Sequence, residues 1–341
     1  MQDQAIGVVN LSEFHPSWNW LASSVRGPQA LDWAHSSVQS VEIPAWAPRP
    51  MAWRRAIAAW KAASLLKQRA AVLVSHGPRM TMYGSLAMAS RLKRQRHLAY
   101  SFNFTELPRG ATRKLMAASF QAVDRFVCFS TMERQLYARH FDLDLARIDM
   151  IHWAAEPPPA DHDAGPAIAG SYICAIGSQG RDYATLMQAL RTLPQIRMVV
   201  VATPASIDGL NIPANVELHC DIPFDKAMNI LRHSRFNVVP LRDSEVPCGH
   251  VTIVAAMHYE KASIVSASSG VADYIDSGVN GLAVPVRDPQ ALALAIERLW
   301  SEPAESSRLA AAAKAFAQQW CREQAAADYF ENFVWGAARL K

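Results

Sequence analysis

"VPCGHVTIVAAMHYEKASIVS", residues 246–266, decides how the rest of the chain is read. Cys248-Gly249-His250 makes a tight turn, Val251 to Met257 is compatible with a helix, and Ser263-Ile264-Val265-Ser266 is a β-branched run. Loop, helix and strand in that order form half of the repeating unit of a parallel α/β sheet. Gly249 permits a backbone conformation closed to most residues, and the residues after it offer free N–H groups at a helix start. Those groups and the helix dipole favour an anion such as a phosphate. Thr252 adds a hydroxyl, and His250 adds a donor for a sugar hydroxyl or a phosphate. A plain turn into a helix, with Thr252 as its cap, is the alternative these residues leave open.

Outward from this stretch the same alternation recurs. Upstream in the C-terminal half, strands are expected at 171–176, 197–202, 216–219 and 236–240, with helices between them. In the N-terminal half, Ala71–Val74, His97–Phe102 and Arg125–Phe129 are each followed by a helical pattern. Glu156-Pro157-Pro158-Pro159 and the polar run to Gly170 form the best linker. A chain of 341 residues is long for one core, so two domains are expected, 1–158 and 168–319. The Ala-rich C-terminal segment is helical, and its part from about 320 to 341 is expected to pack back on the first domain.

Charge is unevenly spread. Residues 1–160 hold 19 Lys and Arg against 11 Asp and Glu, whereas the remainder holds 15 against 19. No acid occurs between Glu42 and Glu106, an interval with eleven Lys and Arg. Such a block suits an anionic partner, a membrane surface or lipid-linked phosphate, or else it is a solvated basic face. No nucleic-acid motif accompanies it, and nucleic acid is not expected as a partner. Trp53, Ile57 and Trp60 share one helical face of residues 51–61, beside Arg54, Arg55 and Lys61. Tryptophan with arginine at that spacing suits a bilayer interface, and packing on the first sheet, with the cationic side towards lipid headgroups, explains the aromatics equally well. The five cysteines are scattered without a C-x-x-C pair, as in a reducing compartment. No apolar run reaches the length of a membrane span, and the start lacks a signal-peptide layout. A cytoplasmic address is expected, at the inner face of the plasma membrane if the acceptor is membrane-bound.

In open α/β sheets ligands bind beyond the carboxyl ends of the strands. That singles out His76, Asn103, Ser130, Gly177, Pro240 and the loop Cys248–Thr252. His76 precedes a Gly-Pro turn and suits a proton acceptor or an acceptor-sugar contact; a satisfied structural histidine fits equally. Glu106 is the first acid after the basic block, an acid–base candidate or a cap for the helix after Pro108. Asp142-Leu143-Asp144 has a D-x-D form without the context of a metal site, and Arg181-Asp182 lacks a second ligand. No metal is expected.

Residues 240–285, from P-L-R-D-S-E-V-P-C-G-H-V-T through S-G-V-A-D-Y-I-D-S-G-V-N-G-L-A-V-P, resemble the donor-binding signature of family-4-like, group 1 glycosyltransferases. Gly177-Ser178-Gln179-Gly180-Arg181 resembles that family's Gly-Arg/Lys segment, and Ser130–Glu133 and Ile151–Trp153 resemble its interdomain landmarks. The resemblance implies an α/β GT-B fold, two doubly wound Rossmann-like domains facing across a cleft. It implies a metal-independent transfer of sugar from a UDP- or GDP-linked donor to a glycan or lipid-linked acceptor, with retention. The implied donor site is Gly177, Arg181, Pro240, Cys248, Gly249, His250, Val251, Thr252, Ser269, Gly270 and Asp273. His76, Asn103, Glu106, Arg181 and Glu245 are the candidates for chemistry.

The chain departs from the pattern where the family carries two glutamates. Their positions are Pro247 and Ala255 here, with Glu245 two residues before the first. The family's N-domain histidine aligns with Asn103, and its Gly-rich first loop is not evident. A non-catalytic partner subunit and a nucleotide-sugar epimerase-like enzyme are therefore alternatives.

Overall fold

The computed structural model describes residues 6–27, 31–44, 46, 48–66, 71–90, 95–157, 165–242 and 246–336. The chain divides into two compact units, Met1–Ile151 with Glu323–Lys341, and His152–Arg322.

In the first unit the strands are β1 (Ile6–Ser12), β2 (Leu31–Ser37), β3 (Ala71–His76), β4 (Arg96–Tyr100), β5 (Arg125–Cys128) and β6 (Ile148–Met150). Helices α1 (Trp20–Ser24), α2 (Pro50–Leu65), α3 (Pro78–Ala89), α4 (Gly110–Phe120) and α5 (Thr131–Phe141) alternate with them. The sheet runs β2-β1-β3-β4-β5-β6, parallel throughout. Every residue of β3 is buried, as a strand covered on both faces demands, and its first four residues, Ala71–Val74, are a continuous apolar run.

β1 and β2 have no such signature. β1 is interrupted by Gly7 and Asn10, and β2 (LDWAHSS) is a half-exposed edge strand in which polar residues are cheap. The last helix of the chain, α12 (Glu323–Gly336), belongs to this unit. Tyr329 donates to Asp149 at 2.5 Å, Phe330 meets Trp33 at 5.4 Å, and the Arg96 guanidinium lies 4.1 Å over the Phe333 ring.

Of the two readings of the α2 tryptophans, packing on the first sheet is not what their exposure shows. The inward face of α2 is Ala58, Ala59, Ala62 and Ala63, which let the helix approach Val9, Leu11 and Met80 closely. Trp53 and Trp60 point outward, 56% and 54% exposed.

The second unit holds β7 (Ile173–Ile176), β8 (Met198–Ala202), β9 (Val216–Cys220), β10 (Asn237–Val239), β11 (Ser263–Ser266) and β12 (Leu282–Val284). The helices are α6 (Tyr183–Arg191), α7 (Pro204–Ile207), α8 (Phe224–His233), α9 (His250–His258), α10 (Pro289–Ser301) and α11 (Pro303–Trp320). Its parallel sheet runs β12-β11-β10-β7-β8-β9. The chain moves outward from β7 to β9, then returns to lay β10 on the other side of β7. That reversal, like the one between β1 and β3, opens a crevice at the carboxyl ends of the two strands.

The first unit buries titratable groups. His97 bonds Ser75 Oγ at 2.7 Å and Ser85 Oγ at 3.3 Å, and burial pushes its pKa down to about 3. His76 is likewise pushed to about 3, by burial and then by His35. Glu133 closes a capping box with Ser130 at the start of α5, and burial raises it to about 7.

Histidines whose folded pKa is depressed give full stability above about 6.5 and lose it as pH falls towards 3. Each does so at about 1.4 kcal/mol per pH unit. Glu133, whose pKa is raised, works in the opposite sense between about 4.5 and 7, but one carboxyl is outweighed by two imidazoles below pH 6. The denaturation midpoint should therefore fall as pH drops below 6. His97→Gln should flatten the dependence by about 1.4 kcal/mol per pH unit, and a slope the same as wild type would contradict the assignment.

Candidate functional site

The crevice of the second unit is lined by the connections after β7 and β10. β7 leaves through Gly177, at φ +113°, and Gly180, at φ +66°, conformations glycine adopts without strain. Between them the loop turns back on itself and buries Arg181, which is 5% exposed. The guanidinium Nε and Nη2 donate to the Ile176 carbonyl at 3.3 and 3.0 Å. Nη1 donates to Gln179 O at 3.0 Å, and Nη2 also donates to Thr252 Oγ1 at 3.1 Å.

No described carboxylate pairs with this cation; its partners are neutral dipoles. Burial pulls its pKa down, yet a guanidinium stays protonated, so the site keeps a positive charge. Gly177 is what admits the group: a Cβ there would stand 2.6 Å from Nη2. The loop is stitched to the chain after β10, where Asp182 N donates to Pro240 O at 2.9 Å and Arg242 N donates to Gly180 O at 2.9 Å. Asp182 itself caps α6 through Thr185.

The start of α9 adjoins Arg181 through Thr252. Gly249, at φ +97°, is its N-cap and offers no side chain to the first-turn N–H groups. Thr252 Oγ1 accepts from Arg181 and donates to Ile176 O at 3.3 Å, which ties α9 to β7. Cys248 packs on Gly180, where a Cβ would overlap its Sγ, and burial raises the thiol pKa. Val251 is 48% exposed.

His250 is buried; its Nε2 donates to Gly270 O at 2.8 Å and its ring stacks on Tyr274 at 4.6 Å. Burial depresses its pKa. This nitrogen is spent on holding the Ser269–Val271 turn, against which Pro247 is pressed so closely that Gly270 has no room for a Cβ. From the other side His152 Nε2 donates to Asp273 O at 2.9 Å. Of the two glutamate positions, Pro247 is thus a packing residue and Ala255 is buried in α9. Glu245 lies outside the described residues.

In the first unit the crevice lies between β1 and β3. His76 ends β3, and its Nε2 meets Asn10 Oδ1 at 2.6 Å, while Asn10 Nδ2 meets His35 Nδ1 at 3.2 Å. Because the amide oxygen can only accept, Nε2 carries the proton, and the buried Nδ1 is a lone pair with no hydrogen-bond partner among the described residues. Trp18 stands edge-on to the ring at 4.7 Å and Tyr100 at 5.6 Å. The β1–α1 connection, Glu13–Asn19, contains no glycine and is aromatic, with Phe14 against Trp18 at 4.5 Å.

Asn103 and Glu106 follow β4 at the same sheet edge, both exposed, with no side-chain hydrogen bond to a described residue. The cap position of α4 is Arg109. Asn10, His35 and Trp18 are absent from the sequence-derived candidates; a lone asparagine inside the apolar run of β1 is the signal that marks the cluster. Asp142 accepts from Arg113 at 3.2 Å and Asp144 caps a short 3₁₀ turn.

Residues 172–302 match the family of group 1 glycosyl transferases. The sequence matches no curated protein. Among solved structures, Anabaena HepE in complex with UDP is 13% identical with a TM-score of 0.73, covering 96% of this chain and 99% of its own. A sucrose-phosphate synthase from Thermosynechococcus elongatus is 15% identical at 0.72, covering 98% and 100%. A glycosyltransferase from Rickettsia africae is 12% identical at 0.70, covering 98% of each. At such identities the likeness shows the fold, which is GT-B. The second unit carries a group 1 glycosyltransferase domain, and the family resemblance read from residues 240–285 holds.

Gly177→Ala should destabilise the second unit more than Gly278→Ala does. Both positions have positive φ, but at Gly278 nothing lies within 4 Å of where a Cβ would stand. Urea denaturation should separate them by about 1–2 kcal/mol, the cost of displacing the guanidinium and its buried hydrogen bonds. Equal losses would show that Gly177 serves the turn alone.

Proposed function

We propose that the protein is a glycosyltransferase that moves a sugar from a UDP- or GDP-linked donor to a glycan or lipid-linked acceptor, with retention and without a metal. The observation that carries the proposal is the Arg181 guanidinium, buried without a described carboxylate and joined by Thr252 to the uncapped start of α9. A diphosphate would supply the missing negative charge and accept the first-turn N–H groups. UDP-bound HepE, on the same fold, supports a nucleotide donor.

In the reaction the bond from the anomeric carbon to the diphosphate oxygen breaks and the bond to the acceptor oxygen forms on the same face. The acceptor proton passes to the departing phosphate oxygen. Charge grows on that oxygen as the bond breaks, so fixed donors stabilise the transition state more than the ground state. Gly177, Pro240, Cys248, Val251 and the Ser269–Asp273 turn shape the donor pocket, and His250 holds the turn in place. His76, Asn103 and Glu106 present the acceptor from the first unit. The basic first unit favours an acceptor at the inner face of an anionic membrane, as in bacterial envelope polysaccharide synthesis.

A second reading, a GT-B subunit that binds nucleotide without transfer, is favoured by one observation. Pro247 and Ala255 occupy the glutamate positions, and neither can supply a carboxylate.

Isothermal titration of the full chain should show UDP or GDP binding. Arg181→Ala should weaken it by about a hundredfold, the order expected for one charged donor in a buried anion site. Unchanged affinity would remove the site assignment. Nucleotide binding with no sugar release from UDP- or GDP-sugars across a broad acceptor panel would favour the subunit.

A further inference from the structure

α2 presents its large side chains to solvent and its small ones to the core. Trp53 and Trp60 lie on one helical face, seven residues and therefore ~10 Å apart along the axis. They are 56% and 54% exposed, and Trp46, four residues before the helix, is 82% exposed. Two half-exposed tryptophans stacked along one helical face, with a third exposed just before the helix, are an apolar feature of the kind that marks a contact. The inward contact of α2 is made by its four buried alanines.

Charge selects the partner. Arg49 and Lys61 are exposed on the flanks of the tryptophan face, and α2 contains no acid. Arg55 is not available to a partner, since Glu13 holds it at 2.8 Å. Two copies meeting on this face would bring like charges together, whereas an anionic lipid surface offers hydrocarbon to the indoles and phosphate to the cations. Tryptophan suits that boundary because its ring is apolar while its N–H remains wet. Among the described residues no helix is long and apolar enough to cross a membrane, so contact through α2 would lie in the plane of the surface.

We propose that the outward face of α2 docks the protein on an anionic bilayer. Trp46, Trp53 and Trp60 sit at the boundary between headgroups and acyl chains, and Arg49 and Lys61 sit against lipid phosphates. This deepens the reading of a membrane-held acceptor by naming the docking element, and docking and sugar transfer can be tested apart.

The full chain is mixed with vesicles of phosphatidylcholine alone and of phosphatidylcholine with phosphatidylglycerol, then sedimented. Binding is expected to the mixed vesicles only, weakening as salt rises, with a blue shift of tryptophan emission. The double variant Trp53→Ala/Trp60→Ala should lose about tenfold or more of that binding. Its circular dichroism should match wild type, and Trp53→Ala alone, which removes a ring 56% exposed, should reproduce part of the loss with melting unchanged. Lys61→Glu should weaken binding while leaving the indoles in place.

Equal binding to both vesicle types, or a double variant that binds as wild type does, would overturn the proposal. So would a wild type that self-associates in the ultracentrifuge and becomes monomeric in the double variant without ever binding vesicles. UDP and GDP titrations of the same samples separate the two readings. Vesicle binding without nucleotide binding overturns the transferase and leaves the docking face standing; the reverse overturns docking alone.

Discussion

A positive charge buried among carbonyls organises the second unit. Among the described residues Arg181 spends its hydrogen bonds on Ile176, Gln179 and Thr252, all neutral, so there its desolvation is offset by dipoles and not by a described counter-charge. A buried guanidinium left in that state attracts an anion more strongly than an exposed one, because little water competes for it. The surroundings follow from keeping it there. Gly177 must lack a side chain, Gly180 must give way to Cys248, and Thr252 must stand on the first turn of α9. The same turn brings uncapped N–H groups beside the cation. All of this falls where the strand order reverses between β7 and β10, the place at which two strand ends diverge and leave room for a ligand.

The first unit uses its own reversal differently. Between β1 and β3 lies a neutral relay, His35 to Asn10 to His76, that fixes one imidazole tautomer and leaves Nδ1 without a partner among the described residues. Around it stand Trp18 and Tyr100 in place of a glycine-rich loop. A glycine-rich connection suits close backbone approach to phosphate, and the β1–α1 connection, Glu13–Asn19, has no glycine to allow it. The two crevices thus differ in kind, one cationic and lined by peptide N–H groups, the other neutral and aromatic.

Much of this was legible in the sequence, and the gaps have physical causes. Strands buried on both faces, such as β3 and β8, announce themselves as β-branched runs, and the loop–helix–strand of 246–266 is seen as read. β1 and β2 escaped because Gly7, Asn10 and the polar edge strand break the run, and β12 because its LAV holds a single β-branched residue, where the equally short β10 has two. Gly249 and Thr252 could be named from the loop that opens a helix, and Arg181 through the family resemblance, but not the bond between Arg181 and Thr252, 71 positions apart. His250 looked like a ligand contact, and its Nε2 proves to be committed to the Gly270 carbonyl. The tryptophans of α2 show the limit of periodicity. The pattern located an amphipathic helix correctly, yet alanine, being small, took the buried side and left the indoles outside.

What occupies the space beside Arg181 decides between a sugar transferase and a bare fold. Crystals of the full chain soaked with UDP or GDP measure this most directly. Phosphate oxygens are predicted within hydrogen-bond distance of the guanidinium and of the backbone N–H groups that follow Gly249. Nucleotide bound elsewhere, or a site from which phosphate is excluded while Arg181 keeps only its carbonyl partners, would contradict that prediction.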